Sequence, residues 1–263
     1  MYIYFRSLVI AILSLTNLGL VRESELASLR VEKIEFDNLR NKIQFYLILP
    51  LVELHKRSLT IHNLIKYSKS EKGQDVFALI ANNFARDKVF LEIGAYDGIT
   101  ASNTYLLEKE FGWTGLLVEC IPSNFSDIKF SRDCCSILAA ATKQDAESVE
   151  VVRQPAPNLS SLANVVYKRI WKNLSYQVPG YSLDSLLMMA CPKGEIGFLS
   201  VDIEGAEYSI FEDVDLSEYN ISAICVEHNF RPDKEKLQNL ITAQGYRVVF
   251  EEFSGNDYWF VKI

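Results

Sequence analysis

The chain is poor in the features that announce most functions. Its five cysteines form no C-x-x-C pair and no metal-ligand spacing, and two of them, Cys134 and Cys135, are adjacent. They read as reduced thiols in a reducing compartment. Positive charge is also in deficit. With 27 Lys and Arg against 34 Asp and Glu the formal net charge is −7, which argues against a nucleic-acid surface. No internal repeat or low-complexity tract occurs, and there are only three histidines. No apolar run reaches the roughly 20 residues of a comfortable membrane span. The uncharged stretch Ser7–Val21, preceded by Arg6, comes nearest. It reads as a helix packed on the protein or a partner, as an interfacial or membrane anchor, or as a cleaved signal. Four N-x-S sequons, at Asn124, Asn158, Asn173 and Asn220, matter only in a secreted chain. Cytoplasmic residence, with residues 1–21 as a peripheral or anchoring attachment to a membrane, is the expected location.

What is present is organised in two parts. Residues 1–70 read as a helical, charge-rich amino-terminal extension; Leu26, Leu29, Ile34 and Leu39 recur at roughly helical intervals and Pro50 marks a break. Residues 71–263 read as an α/β domain. Its short, β-branched-rich runs, "KVFLEI", "GLLVE", "CSILAA", "IGFLSVD" and "SAICVE", are what parallel strands covered on both faces require. Helical candidates lie between them, among them "TYLLEKEFG" and "PDKEKLQNLITAQG". The final pair, "YRVVFEE" and "DYWFVKI" across "FSGN", reads as a hairpin. The expected architecture is an open, mostly parallel sheet with an antiparallel last strand, and a binding crevice at the carboxyl ends of its strands.

The turn after the first strand, "VFLEIGAYDG" (89–98), has the outline of a nucleotide-binding loop. It lacks the glycine spacing of the dinucleotide fingerprint, because Tyr96 and Ile99 stand where the second and third glycines belong. It also lacks lysine and arginine, so a pyrophosphate would meet Glu92 and Asp97 at a cost of several kcal/mol. A phosphate-free, positively charged nucleoside suits the loop instead. S-adenosylmethionine has a sulfonium, an ammonium and ribose hydroxyls; Gly94 and Gly98 permit close backbone approach, and the carboxylates accept hydrogen bonds. Glu119, ending "LLVE", stands where a doubly wound sheet grips a ribose diol.

"SEKGQD", "FLEIGAYDGITASNTYLLEKEFGWTGLLVE", "SLDSLL", "LSVDIEGAEYSIFEDVDL" and "ICVEHN" follow one another in an order that resembles the FkbM-type methyltransferases, a branch of the class I S-adenosylmethionine-dependent enzymes. The resemblance runs from about residue 70 to 263. It implies the seven-stranded class I fold (Rossmann-like) and O-methylation of a carbohydrate or related metabolite, so that the partner is a small-molecule or glycan acceptor. It assigns Glu92, Gly94 and Asp97 to the methionine-binding loop, with Ala95, Tyr96, Gly98 and Asn103 beside them, and Glu119 to the ribose. The acidic contact to adenine after the third strand is missing; "AAATKQDAES" offers only Thr142 or Asp145.

Two strand ends supply groups for chemistry. Asp202, Glu204 and Glu207 follow one; Glu227, His228 and Asn229 follow the other. His228 is the candidate base, with a reference pKa of about 6.5, and Asp202 is expected to orient it or to hold the cofactor amine. Glu207 opens a helix, where a carboxylate suits the dipole. Alternatively Asp202, Glu227 and Asn229 bind one hard divalent cation. The turn-rich segment 154–173 reads as a substrate lid. A second reading, of another class, is a catalytically silent binding or trafficking module with this fold, tethered to a membrane through residues 1–21.

Overall fold

The computed structural model describes residue 64 and residues 67–153, 160–162, 175–192 and 194–263. The extension's apolar stretch and most of the candidate lid lie outside the described residues. Strand β1 (Val89–Ile93) is central, with β2 (Thr114–Glu119) on one side and β8 (Glu195–Val201) on the other, both parallel. Beyond β2 lies β3 (Cys135–Leu138); beyond β8 lie β9 (Asn220–Glu227), β11 (Asp257–Lys262) and β10 (Tyr246–Val249). The sheet has seven strands in the order β10-β11-β9-β8-β1-β2-β3. β11 runs antiparallel to both neighbours, as the terminal hairpin pattern requires.

Alternation along the strands feeds two cores. Leu91 and Ile93 enter one cluster with Leu116, Val118 and the helix α4 (Leu183–Ala190). Phe90 and Leu117 enter the other, with α1 (Gln74–Ala81) and α2 (Tyr105–Phe111). Both faces of the sheet are therefore covered, which explains strands that read as apolar runs without a polar face. Each fully buried Phe or Leu contributes about 1.5–3 kcal/mol, so two such clusters fix strand order strongly. Helix α3 (Pro122–Ser131) begins on a proline, whose absent N–H costs nothing in a first turn.

Three details depart from the sequence pattern. The run "CSILAA" is broken: β3 ends at Leu138 beside Glu119, whereas β4 (Ala140–Ala141) leaves the main sheet and pairs with β7 (Ser175–Tyr181). A second sheet, in the order β4-β7-β5-β6, contains β5 (Ala146–Arg153) and β6 (Ser160–Leu162). Finally, "FSGN" does not make a simple turn. Phe250 takes a left-handed conformation (φ 57°) and starts a one-turn helix, Glu251–Ser254. Among the described residues no helix is long and apolar enough to cross a membrane.

Candidate functional site

The carboxyl ends of β1, β2 and β8 are tied to one another. The N–H groups of Gly94 and Ala95 donate to the Val118 carbonyl at 2.9 and 3.1 Å. The N–H of Asp202 donates to the Ile93 carbonyl at 3.0 Å. Gly94 has φ +89°, and a Cβ there would stand 1.8 Å from the Asp202 carbonyl oxygen, so only glycine lets β1 and β8 converge. Glu119 closes the other side, accepting from the N–H of Tyr96 (2.9 Å) and of Ile121 (2.7 Å). Burial pushes its carboxyl up to about 7, and those N–H groups offset part of the push.

A cavity of about 310 Å³ lies over these ends. Of the expected cofactor set, Glu92, Gly94, Ala95, Tyr96, Asn103, Glu119 and Asp202 line it. Its charged lining consists of Glu71, Glu92, Glu119, Asp202, Glu204 and Glu227 against a single ammonium, Lys72. Asn103 donates from Nδ2 to Ser200 Oγ at 2.9 Å, while its Oδ1 is buried without a partner. A buried acceptor of this kind wants a donor.

Asp97 and Gly98, also expected at the cofactor, do not line the cavity. Asp97 accepts from the N–H groups of Ile99 (2.8 Å) and Thr100 (2.7 Å) and from Thr100 Oγ1, a solvent-facing turn. The Gly98 carbonyl accepts from Arg132 Nη1 at 3.0 Å. Both residues shape the loop from behind.

Glu92 does two jobs. It lines the cavity, and it accepts from the Asn103 N–H at 2.7 Å, from Ser102 Oγ at 3.1 Å and from Thr104 Oγ1. Burial raises its pKa, opposed by the Arg132 guanidinium and these donors. Arg132, which the sequence did not mark, is the organiser of the loop. It lies 3.8 Å from Glu92, donates to Glu108 at 2.8 Å, and reaches Ser102 Oγ and Thr104 Oγ1 at 3.1 and 2.9 Å. Burial alone would raise Glu108, but Arg132 together with donors from Asp133, Cys134 and Lys109 outweighs it and holds that carboxyl at about 2.

At the ends of β8 and β9 the structure brings Asp202, Glu204 and Glu227 together, with one oxygen of each within 4.8 Å of the others. Desolvation and the neighbouring charge of Asp257 push Asp202 up, and desolvation and the charges of Asp202 and Glu204 push Glu227 up. Glu204 is pushed up to about 8 by burial and by the charges of Asp202 and Glu207. The three carboxylates have the geometry to hold a hard cation, and Asn229, the expected third ligand, lines the same cavity. Asn229 spends its amide on Glu227 (2.5 Å) and on Asn256 (2.7 Å). Glu207 accepts from the N–H groups of Ile203 (3.2 Å) and Gly205 (2.9 Å), a local structural role.

His228 stands apart from this cluster. It does not line the cavity. Its ring packs on Tyr258, with centroids 4.4 Å apart, and on Phe230, while Nδ1 accepts from the Phe230 N–H at 3.1 Å. The reason is alternation: Glu227 ends its strand pointing into the cavity, so the next side chain points away. Lys72 takes a place the sequence reading left empty. It is buried in the cavity wall, 3.4 Å from Asp257, whose other oxygen accepts from Gln74 Nε2 at 2.8 Å.

A seven-stranded, mostly parallel sheet with an acidic crevice at the carboxyl ends of its strands defines the class, a mixed α/β fold. The methyltransferase FkbM domain matches residues 92–248, and the chain belongs to that family. Among solved structures, the chain is similar to a methyltransferase FkbM from Methylobacillus flagellatus KT, with 14% identity and a TM-score of 0.41 over 68% of this chain and 44% of that one. The chain thus spans less than half the length of that protein. It is also similar to a candidate RNA methyltransferase from Pyrococcus horikoshii, with 9% identity and a TM-score of 0.35, covering 73% and 83% of the two chains. No curated protein matches its sequence.

Proposed function

We propose that the protein transfers a methyl group from S-adenosylmethionine to a hydroxyl oxygen of a carbohydrate or related metabolite. The observation that carries this reading is the make-up of the cavity: six acidic side chains, which a bound cation would help to ionise, against one ammonium, beside the unpartnered Asn103 Oδ1. That lining favours a cationic ligand and penalises a pyrophosphate. The residues fit the cofactor in kind. Glu119 offers carboxylate lone pairs to a diol, and Asn103 Oδ1 offers an acceptor to an ammonium.

S-adenosylmethionine, when bound, supplies an electrophilic methyl on a positively charged sulfur. The chain's own residues hold the acceptor in line, and positioning of this sort contributes about 7–11 kcal/mol to barrier lowering. They also remove the hydroxyl proton. Asp202 faces the cavity and His228 does not, so Asp202 is the base in this reading. The hydrogen bond from Glu227 and the charge of Lys72 both favour the ionised form of Asp202. A carboxyl raised toward neutrality is a better proton acceptor than an ordinary one.

The described cysteines are free thiols, consistent with a cytoplasmic location, with residues 1–21 as the candidate attachment to a membrane. The test of the reaction is transfer of isotopically labelled methyl from S-adenosylmethionine to a panel of sugars and sugar-bearing metabolites. A labelled, alkali-stable ether product is expected. Label appearing only on nitrogen or sulfur acceptors would overturn the oxygen assignment.

A further inference from the structure

Lys72 supplies the cavity's ammonium, and it is held loosely for a buried cation. Its nearest carboxylate oxygens, on Asp257 and Glu71, stand 3.4 and 3.7 Å from Nζ. Charge-assisted hydrogen bonds close to about 2.7–2.9 Å, as those of Arg132 to Glu108 and of Lys143 to Glu212 do at 2.8 Å. A lysine that served only to neutralise the acidic lining would close on a carboxylate in the same way. An ammonium carries three donors, and the one long bond to Asp257 leaves donor capacity at the cavity wall. Such capacity, buried, wants an acceptor.

The chain fixes this ammonium from two sides. Gln74 Oε1 accepts from the Lys72 N–H at 2.8 Å, and Gln74 Nε2 donates to Asp257 at 2.8 Å. The stem lies against Gly255, where a Cβ would stand 3.2 Å from Lys72 Cε. Lys72, Gln74, Gly255 and Asp257 all fall outside the stretch 92–248 that the FkbM domain matches, so the clasp lies beyond the part that defines the family. Asp202 is close enough for its charge and that of Lys72 to act on one another. Glu227 is occupied, accepting from Asn256 Nδ2 at 2.8 Å and from Asn229 Nδ2. A proton acceptor, Asp202, and a fixed proton donor, Lys72, thus share one end of the cavity.

We propose that Lys72 is an acceptor-binding residue, positioned by Asp257 and Gln74, that donates to the oxygen beside the hydroxyl being methylated. The acceptor is then a vicinal diol: one hydroxyl gives its proton to Asp202 while its neighbour accepts from Lys72. In that step the first oxygen bonds the methyl carbon as the sulfur–methyl bond breaks, and its proton passes to Asp202. This rests on the reading of methyl transfer to oxygen above.

Labelled-methyl transfer by the whole chain is measured on methyl glucoside, methyl galactoside and methyl mannoside, each beside derivatives lacking one ring hydroxyl. The derivative without the oxygen beside the methylated one should lose about tenfold or more in kcat/KM, the worth of a hydrogen bond to a charged group. Equal rates would overturn the inference while leaving transfer to oxygen intact. Transfer to none of the glycosides overturns that reading and this inference with it. Lys72→Met should erase the difference between parent and deoxy sugar, since any loss through Asp202 falls on both alike. Its affinity for S-adenosylhomocysteine, by calorimetry, should stay within about threefold of the parent. A folded variant, checked by circular dichroism, that keeps the sugar difference or loses that affinity would take Lys72 out of the acceptor site. Asp257→Asn, which frees the ammonium, should narrow the same difference, and an unchanged difference would remove Asp257 from its positioning role. The deoxy comparison needs no variant.

Discussion

Gly94 meets the backbone carbonyl of Asp202 so closely that the smallest side chain would stand 1.8 Å from its oxygen. This contact joins the turn after β1 to the strand end that carries the acidic cluster. Gly94→Ala therefore forces either the turn or β8 to move, on top of a left-handed φ that disfavours alanine. Loss of about 1–3 kcal/mol of stability is expected from the backbone term alone, with S-adenosylmethionine affinity falling more than tenfold. Urea denaturation and calorimetry check the two effects separately; a variant of native stability and affinity would show that the strand ends are not coupled.

Arg132 is the second load on the loop. Its removal leaves Glu92 and Glu108 as buried or half-buried carboxylates without their cation. Arg132→Met should cost about 3–5 kcal/mol, as breaking a buried ion pair from one side does. Equilibrium unfolding measures it, and a change below 1 kcal/mol, the range of a surface pair, would contradict the geometry.

The position of His228 and of Asp202 makes opposite predictions for two variants. Asp202→Asn should lower kcat by about 10²–10⁴, the usual contribution of general base catalysis, while the protein stays folded. His228→Ala should keep a turnover within about threefold of the parent and lose stability instead, because the ring fills the space beside Tyr258. An inactive but stable His228→Ala protein would restore the histidine as base.

Glu119 gives stability a definite pH dependence. Its folded value, about 7, lies above the ordinary 4.5. Its contribution is thus fully present below about pH 4.5 and lost as pH rises through about 7. Glu119→Gln removes that titration, so the fall in unfolding free energy between about pH 5 and 8 should shrink by about 1–3 kcal/mol. An identical pH profile in the variant would mean that the carboxyl is not buried in solution.

The acidic centre also separates two mechanisms by chelation. With Asp202 as base, protein treated with a chelator keeps its turnover. Activity lost on chelation and restored by one divalent cation would give Asp202, Glu204 and Glu227 to a metal instead.

Much of this was legible in the sequence, for identifiable reasons. The main strands are buried on both faces, so they stand out as apolar runs, and the carboxylates that end them, Glu92, Glu119, Asp202 and Glu227, are marked by that contrast. The orientation of His228 was implicit in the same two-residue period, since Glu227 and His228 are neighbours and only one can face the cavity. Arg132 carried no local signal, because its partners are 24 to 40 residues away in sequence. Lys72 and Asp257 are 185 residues apart, and no periodicity links them. The second sheet was hidden because the break after Leu138 falls inside an unbroken apolar run. Only pairing with β7 reveals it.

The central claim is that the cavity welcomes a cationic nucleoside without phosphate. It is tested most directly by titrating the folded protein, side by side, with S-adenosylmethionine and with a nicotinamide dinucleotide. Micromolar binding of the first and none of the second is the predicted result. Binding of the dinucleotide in preference to S-adenosylmethionine, or of neither, would contradict it.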